Sequence, residues 1–211
     1  MPIASEACFT IKEHVNCVEA RISKLKKINY FPEINLNAIR FIENNLSKAW
    51  ASTMKHVKES VQRYDLNFDE HLSPDDKCVS PSDFGFHNAI LKKGTDELYF
   101  IDFEYAGIDD PAKMVCDFFC QPEVPVPFKY FDSFVNTVAS VSANPERLKQ
   151  RIAILLPVYR IKWCCILLNE FLDIGSEKRN FAHEKNNSDK IKLEQLEKAR
   201  RYLKSSYIKI N

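Results

Sequence analysis

Six polar side chains between residues 83 and 110 have the types and spacing that chemistry on a hydroxyl or a phosphate would use: Asp83, Asn88, Asp102, Glu104, Asp109 and Asp110. Asn88 opens the short apolar run Asn88-Ala-Ile-Leu. Asp102 falls in the aromatic and branched run Leu98-Tyr-Phe-Ile-Asp-Phe. Lys92-Lys-Gly-Thr-Asp-Glu separates the two runs, so the segment reads as a β-hairpin with Gly94 in its loop. With the turn centred on Thr95, Ile90 faces Phe100 and Asn88 faces Asp102. Directly opposed residues hold their Cβ atoms about 4.5–5.5 Å apart. An amide oxygen and a carboxylate at that separation can share one small hard cation. Mg²⁺ takes few protein oxygens and keeps its other positions for water and phosphate. Glu104, two residues beyond Asp102, faces the same side of an extended chain. It reads equally as a further ligand or as a solvated acid at a strand end. Asp83, five residues before Asn88 on a loop containing Gly85, can accept the proton of a substrate hydroxyl and aim its oxygen.

Each of these residues also has a plainer reading. Asp83 alone forms an Asx turn, and Asn88 alone is a turn residue at a strand start. Asp110-Pro111 reads first as an N-cap followed by the first helical residue. Asp109 reads first as an exposed acid, and a substrate-facing role is the second reading of both. His87 lies inside the loop and reads as a packed or surface histidine. His14, His56, His71 and His183 have no partner at metal-ligand spacing and read as ordinary.

Helices must position this segment. Ile11, Val15, Val18, Ile22, Leu25 and Ile28 recur at helical spacing and predict a helix from about Ser5 to Ile28, ended by Phe31-Pro32. The clearest stripe is Ile39, Ile42, Leu46, Trp50, Met54, Val57, Val61 and Tyr64, with Asn35 or Asn37 as its cap. Residues 65–81 are a polar connection. Helices follow from Asp110-Pro111 to about Cys120, over Phe128 to Val141, and from Asn144-Pro145 to Leu172, where Pro157 should kink or split the last. A polar linker over 173–188 leads to a final helix over Asp189 to Ser205, with Glu194–Lys198 and Glu197–Arg201 pairs. Trp50 and Trp163 read as core anchors.

Composition narrows the function classes. Lys plus Arg is 30 and Asp plus Glu is 29, a net charge of +1, which argues against a nucleic-acid binder and against a polybasic membrane arm. Only four glycines occur, Gly85, Gly94, Gly107 and Gly175, where average usage gives roughly 15. None are spaced as a glycine-rich phosphate cradle. Seven cysteines at irregular spacing, without C-x-x-C, argue against a disulfide framework and against zinc. Cys116 and Cys120, four apart, read as buried inert thiols. The N-terminus has no apolar run of signal-peptide length, and Ile152 to Leu172 is too polar to span a bilayer. The expectation is a reducing, cytoplasmic location with no membrane partner.

The stretch Ser80-Pro-Ser-Asp-Phe-Gly-Phe-His-Asn-Ala-Ile-Leu, followed by Leu98-Tyr-Phe-Ile-Asp-Phe-Glu-Tyr-Ala-Gly, resembles the catalytic core of aminoglycoside phosphotransferase-like kinases. That superfamily includes choline kinases and shares the protein-kinase fold. The resemblance covers roughly residues 33–205. It implies that Asp83 is the catalytic aspartate and that Asn88 and Asp102 hold Mg²⁺ on ATP or another nucleoside triphosphate. The implied acceptor is a small-molecule hydroxyl, such as that of an aminoglycoside, sugar or amino alcohol. Asp110-Pro111 resembles the Asp-Pro that follows the family's metal-binding strand, and Arg160-Ile-Lys-Trp resembles a helical segment of one branch. Two features depart from the family. Its H-G-D pattern has Pro81 and Ser82 in the His and Gly places. Before residue 83 there are two predicted helices and no glycine, so the glycine-looped N-terminal β lobe is expected to be missing.

The expected fold is therefore mainly α with a small β-hairpin, a single kinase-like C-terminal lobe over 1–211. Residues 1–32 form a leading helix and linker, 33–120 carry the core helix, catalytic loop and metal-binding hairpin, and 121–211 form a helical substrate-side subdomain. The partner is expected to be a small-molecule substrate, with a separate N-lobe segment or self-association covering exposed apolar surface. The alternative is a non-catalytic kinase-like lobe, a binding module or an inactive remnant. A protein kinase fits less well, because His-Arg-Asp and A-P-E are lacking.

Overall fold

A computed structural model describes residues 1–172 and 188–205. It is mainly helical, 62%, with a small antiparallel β part. The helices are α1 (Ile11–Leu25), α2 (Glu33–Phe41), α3 (Ser47–Arg63), α4 (Pro111–Cys120), α5 (Phe131–Ala139), α6 (Pro145–Leu167) and α7 (Ser188–Ser205). A π-turn, Ile42–Leu46, joins α2 to α3 without a break. The strands are β1 (Cys78–Ser80), β2 (Ala89–Leu91), β3 (Leu98–Phe100) and β4 (Gly107–Asp109), paired as β1 with β4 and β2 with β3. The chain forms two compact units: residues 1–15 with 56–159, and 16–55 with 160–211.

In the first unit, Thr10 and Glu13 set the start of α1. Glu13 N–H donates to Thr10 Oγ1 at 3.0 Å, and Glu13 Oε2 accepts from the amides of Phe9 (2.6 Å) and Thr10 (3.0 Å). This capping box starts the helix at Ile11 rather than near Ser5. The chain before it is extended: Ile3 bridges Ile108 in parallel, and Ala4 N–H donates to Ile108 O at 3.0 Å. A Cβ on Gly107 would lie 2.5 Å from Ala4 N, so only glycine lets the N-terminal segment cross β4 there.

Phenylalanines hold the hairpin and the preceding loop onto the helices of this unit. Phe118 of α4 stacks on Phe84 (4.7 Å between centroids) and meets Phe86 edge-on (5.2 Å). Phe84 lies 5.0 Å from Phe100 of β3, and Phe134 of α5 stacks on Phe118 at 4.9 Å. Aromatic pairs of this kind add about 0.5–1.5 kcal/mol each beyond the area they bury. The α6 helix runs unbroken through Pro157, so the expected split does not occur. Leu155, Leu156, Val158 and Tyr159 on either side are all buried. Their packing outweighs the roughly 3 kcal/mol that an interior proline costs. Cys116 and Cys120 are buried, as expected, and outside any disulfide.

In the second unit Val18, Ile22 and Leu25 of α1 are buried, as are Ile42 and Leu46. Leu196, Ala199 and Leu203 line the buried face of α7, which packs against α2. Asn35 does not cap α2. It lies inside the first turn, buried, and its amide donates to the carbonyls of Asn29 and Phe31, both at 2.9 Å. Trp163 is buried, whereas Trp50 is only half-buried. In α7, Glu197 pairs with Arg200 at 3.2 Å. Residues 173–187, which include His183 and nearly all of the predicted polar linker, lie outside the described residues.

Candidate active site

Asp83, His87 and Asn88 come together on one loop. Ser82, just before Asp83, has φ +70°, a left-handed conformation that costs a non-glycine residue about 1–3 kcal/mol and clusters at functional sites. Its amide donates to Ser80 Oγ (3.1 Å), its hydroxyl donates to Ser5 O (2.8 Å), and Lys113 Nζ reaches the same hydroxyl at 3.4 Å. The loop is thus anchored from three sides. His87 Nε2 lies 3.1 Å from Asp83 Oδ1, and Asn88 Nδ2 donates to the Asp83 carbonyl (3.0 Å) and to Asp83 Oδ2 (3.3 Å). Gly85 gives the His87 ring its place: a Cβ there would lie 2.6 Å from Nδ1. Asp83 keeps 45% of its side chain exposed, enough for a substrate to reach it. His87 is therefore a partner of Asp83, which its sequence position alone did not reveal.

The hairpin is present, with a register one residue away from the expected one. Ala89 pairs with Phe100, Ile90 with Tyr99, and Leu91 with Leu98. Ile101 N–H donates to Asn88 O at 2.9 Å, so Asn88 lies opposite Ile101, not Asp102. The loop explains the slip. Lys92 N–H closes onto Glu97 O at 3.0 Å, so the turn is centred between Gly94 (φ +82°) and Thr95 rather than on Thr95. Asp102 leaves the strand with φ +63°. Asp102, Glu104 and Tyr105 then lie on exposed chain. The Tyr105 hydroxyl is pushed up by its hydrogen bond to Glu104 and by the charges of Glu104, Asp102 and Asp83.

Among the described residues no group of three His, Cys, Asp or Glu side chains is placed to hold a metal ion. The donor set of the hairpin is an amide with a carboxylate. Asn88 spends its Nδ2 on Asp83, and among the described residues neither its Oδ1 nor the Asp102 carboxylate makes a hydrogen bond, although the Asp102 charge acts on Tyr105. Oxygens of this kind are those a hard cation takes, but the observed register does not oppose Asn88 to Asp102, so the side-by-side pair expected from the sequence is not formed by the strand pairing.

Asp109 and Asp110 lie in the interior. Both are fully buried, against the expectation that Asp109 is exposed. Asp109 Oδ2 accepts from Lys113 Nζ at 2.6 Å and its Oδ1 accepts from Asp110 N–H at 2.9 Å. Burial works to lower the Lys113 ammonium, but the carboxylates of Asp117 (3.7 Å) and Asp109 keep it raised and charged. Asp110 is the expected N-cap of α4, accepting from Ala112 N–H at 2.7 Å. Its other oxygen accepts from Arg151 Nε (2.6 Å) and meets His14 Nε2 (3.0 Å). Burial acts to raise the Asp110 carboxyl, yet the Arg151 charge and the His14 hydrogen bond hold it down at about 2. His14 is no ordinary histidine. It is fully buried, and burial pushes it down despite Asp110. A neutral ring donating from Nε2 to Asp110 and accepting the Tyr159 hydroxyl at Nδ1 (2.8 Å) satisfies all three groups. Lys113 stands four residues after Asp109 and four before Asp117, a spacing visible in the sequence. Arg151 and Tyr159 join only through tertiary contact.

Comparison with family models, with curated proteins and with solved structures gave no match. No helix among the described residues is long and apolar enough to cross a membrane.

Proposed function

We propose that the Asp83 loop is the catalytic loop of a phosphotransferase that moves the γ-phosphate of ATP, or of another nucleoside triphosphate, to a hydroxyl of a small molecule. The observation that carries this reading is the joint placement of Asp83 and Asn88. One loop ties them by hydrogen bonds. A half-exposed carboxylate held at both oxygens, by His87 and by Asn88, points in a fixed direction. It accepts the proton of an incoming hydroxyl and orients its oxygen for attack. Asn88 Oδ1 and Asp102, with Glu104 beside them, would hold Mg²⁺. The ion would supply charge stabilisation to the transferring phosphate. His87 stands in no H-G-D pattern, but its contact with Asp83 supplies an orienting partner where Pro81 and Ser82 supply none.

The test is calorimetry of the protein with Mg-ATP, alongside Asp102→Ala and Asp83→Asn. The expected result is saturable heat with Mg-ATP that Asp102→Ala weakens at least tenfold. Asp83→Asn should bind but lose turnover by about 10²–10⁴-fold in an acceptor screen. No heat with folded protein, or full turnover in Asp83→Asn, overturns the proposal. A second reading is favoured by one feature. Ile90, Leu91, Tyr99, Ile101 and Phe103 are each more than 40% exposed on the hairpin and the segment after it. That apolar surface fits a binding module whose ligand is another polypeptide. Concentration-dependent association lost in Leu91→Lys, without Mg-ATP heat, would select it.

A further inference from the structure

The first unit contains a cleft of about 510 Å³ between the 66–76 segment and the start of α6. It shares no lining residue with the Asp83 loop. Its floor is Ile11, Leu66 and Leu72, and its polar rim includes Asn67, His71, Ser73 and Asn144. Two guanidinium groups close it. Arg147 and Arg151 lie four residues apart on α6, on one helix face.

The acids of the rim are already engaged. Glu70 takes Arg147 Nη2 at 2.7 Å, and Asp76 accepts from Ser73 Oγ (2.8 Å) and from the Asn144 amide (3.2 and 3.3 Å). Arg151 differs. Only 7% of its side chain is exposed, and its Nε is spent on Asp110. Its Nη2 is buried with no acceptor among the described residues. A buried donor without a partner costs about 1–3 kcal/mol, and native structures retain few of them. A guanidinium whose Nε is fixed on a carboxylate while its Nη2 has no acceptor is pre-oriented for a planar or tetrahedral oxyanion.

We propose that this cleft is a binding site for a small polar molecule that presents an oxyanion, a carboxylate or a phosphate, to Arg151 and Arg147. The Asn67 amide N–H groups, the Asn144 Oδ1 and the Ser73 Oγ lone pairs supply donors and acceptors for its neutral polar groups, and Ile11, Leu66 and Leu72 take its apolar face. The site is independent of the Asp83 loop and of the chemistry proposed there.

The test is thermal denaturation and calorimetry of the whole chain with sodium phosphate, with sodium acetate and with sodium chloride, at one pH and constant ionic strength. A saturable rise in Tm with phosphate or acetate beyond that with chloride is expected. A response to phosphate alone assigns a phosphoryl ligand, and a response to acetate assigns a carboxylate. Arg151→Gln removes the anchor but also strands Asp110, so Arg147→Gln carries the test, since that side chain is 42% exposed. Arg147→Gln should fold and weaken the binding about tenfold. Asp83→Asn should leave it unchanged. The proposal is overturned by the absence of any anion-specific rise, by an undiminished affinity in Arg147→Gln, or by loss of binding in Asp83→Asn.

Discussion

Two aspartate–histidine pairs of nearly equal length lie in the same compact unit and differ in almost everything else. Asp83 and His87 are 3.1 Å apart on a half-exposed loop, and Asp110 and His14 are 3.0 Å apart with no exposure at all. Every oxygen of Asp110 is spent, on Ala112, Arg151 and His14, and the His14 ring is spent on Asp110 and Tyr159. Asp83 is oriented but accessible. Residue type and distance therefore do not separate a reactive pair from a structural one. Burial and the number of unused lone pairs do. A buried carboxylate that already accepts three hydrogen bonds has nothing left to offer a substrate, and removing it leaves Arg151 uncompensated in a dry interior.

The largest effect expected from this contrast is on stability. Asp110→Ala should lower the unfolding free energy by about 3–5 kcal/mol, because it removes one partner of a buried ion pair. Asp83→Ala should cost less, about 0.5–1.5 kcal/mol, because the hydrogen bonds it gives up to His87 and Asn88 lie on a half-exposed loop. Urea titrations of the two variants decide the matter. Equal losses would mean that the Asp83 loop is as much a structural element as the α4 cap.

The next effect connects the two regions. Phe118→Ala should cost about 3–5 kcal/mol as a large core truncation. It also removes the ring on which Phe84 and Phe86 lie, so the exposed loop loses its support. Hydrogen exchange at the Asn88 and Ile101 amides should accelerate more than at the buried turns of α6. If exchange there is unchanged, the loop does not owe its order to the aromatic cluster.

How much of this was legible in the sequence follows from the range over which each signal acts. The stripe of α1 and the position of the hairpin are local patterns, and both are present. The hairpin register is also local, but it depends on the turn. A six-residue connection from Lys92 to Glu97 has its centre between two residues, and with a side-chain period of two a slip of one residue exchanges the faces of the strand. That is why Asn88 meets Ile101 and not Asp102. The start of α1 was encoded in Thr10-Ile-Lys-Glu13, a capping pattern that the longer apolar stripe obscured. Strands β1 and β4 have three residues each, too few for an alternating pattern to register. The buried network joins residues 14, 110, 151 and 159, and no local spacing announces such a cluster. Only the Asp109, Lys113, Asp117 series shows a period, and an exposed ion-pair ladder has the same one.

A smaller effect, set by acid, isolates the buried pair. The Asp110 carboxyl sits at about 2 in the folded chain against an ordinary 3.8, so the unfolded chain takes up its proton first as pH falls. Its contribution is complete above about pH 5 and is lost as pH drops from there through about 2, roughly 2.5 kcal/mol at about 1.4 kcal/mol per unit. His14 acts earlier and in the same direction. Its folded value lies below the ordinary 6.5 because burial disfavours the charged ring. The unfolded chain therefore binds that proton first as well, and stability begins to fall as pH drops below 6.5. His14→Phe keeps a buried ring that cannot take a proton. It should be less stable at neutral pH by about 1–3 kcal/mol, since Asp110 and Tyr159 each lose a partner, and the decline beginning at 6.5 should disappear from its profile. The low-pH step should remain, because Asp110 keeps Arg151. Stability curves of wild type, His14→Phe and Asp110→Asn between pH 8 and pH 3 would separate the two steps. A His14→Phe curve with the same slope below 6.5 as wild type would show that the buried ring is not the source of that sensitivity.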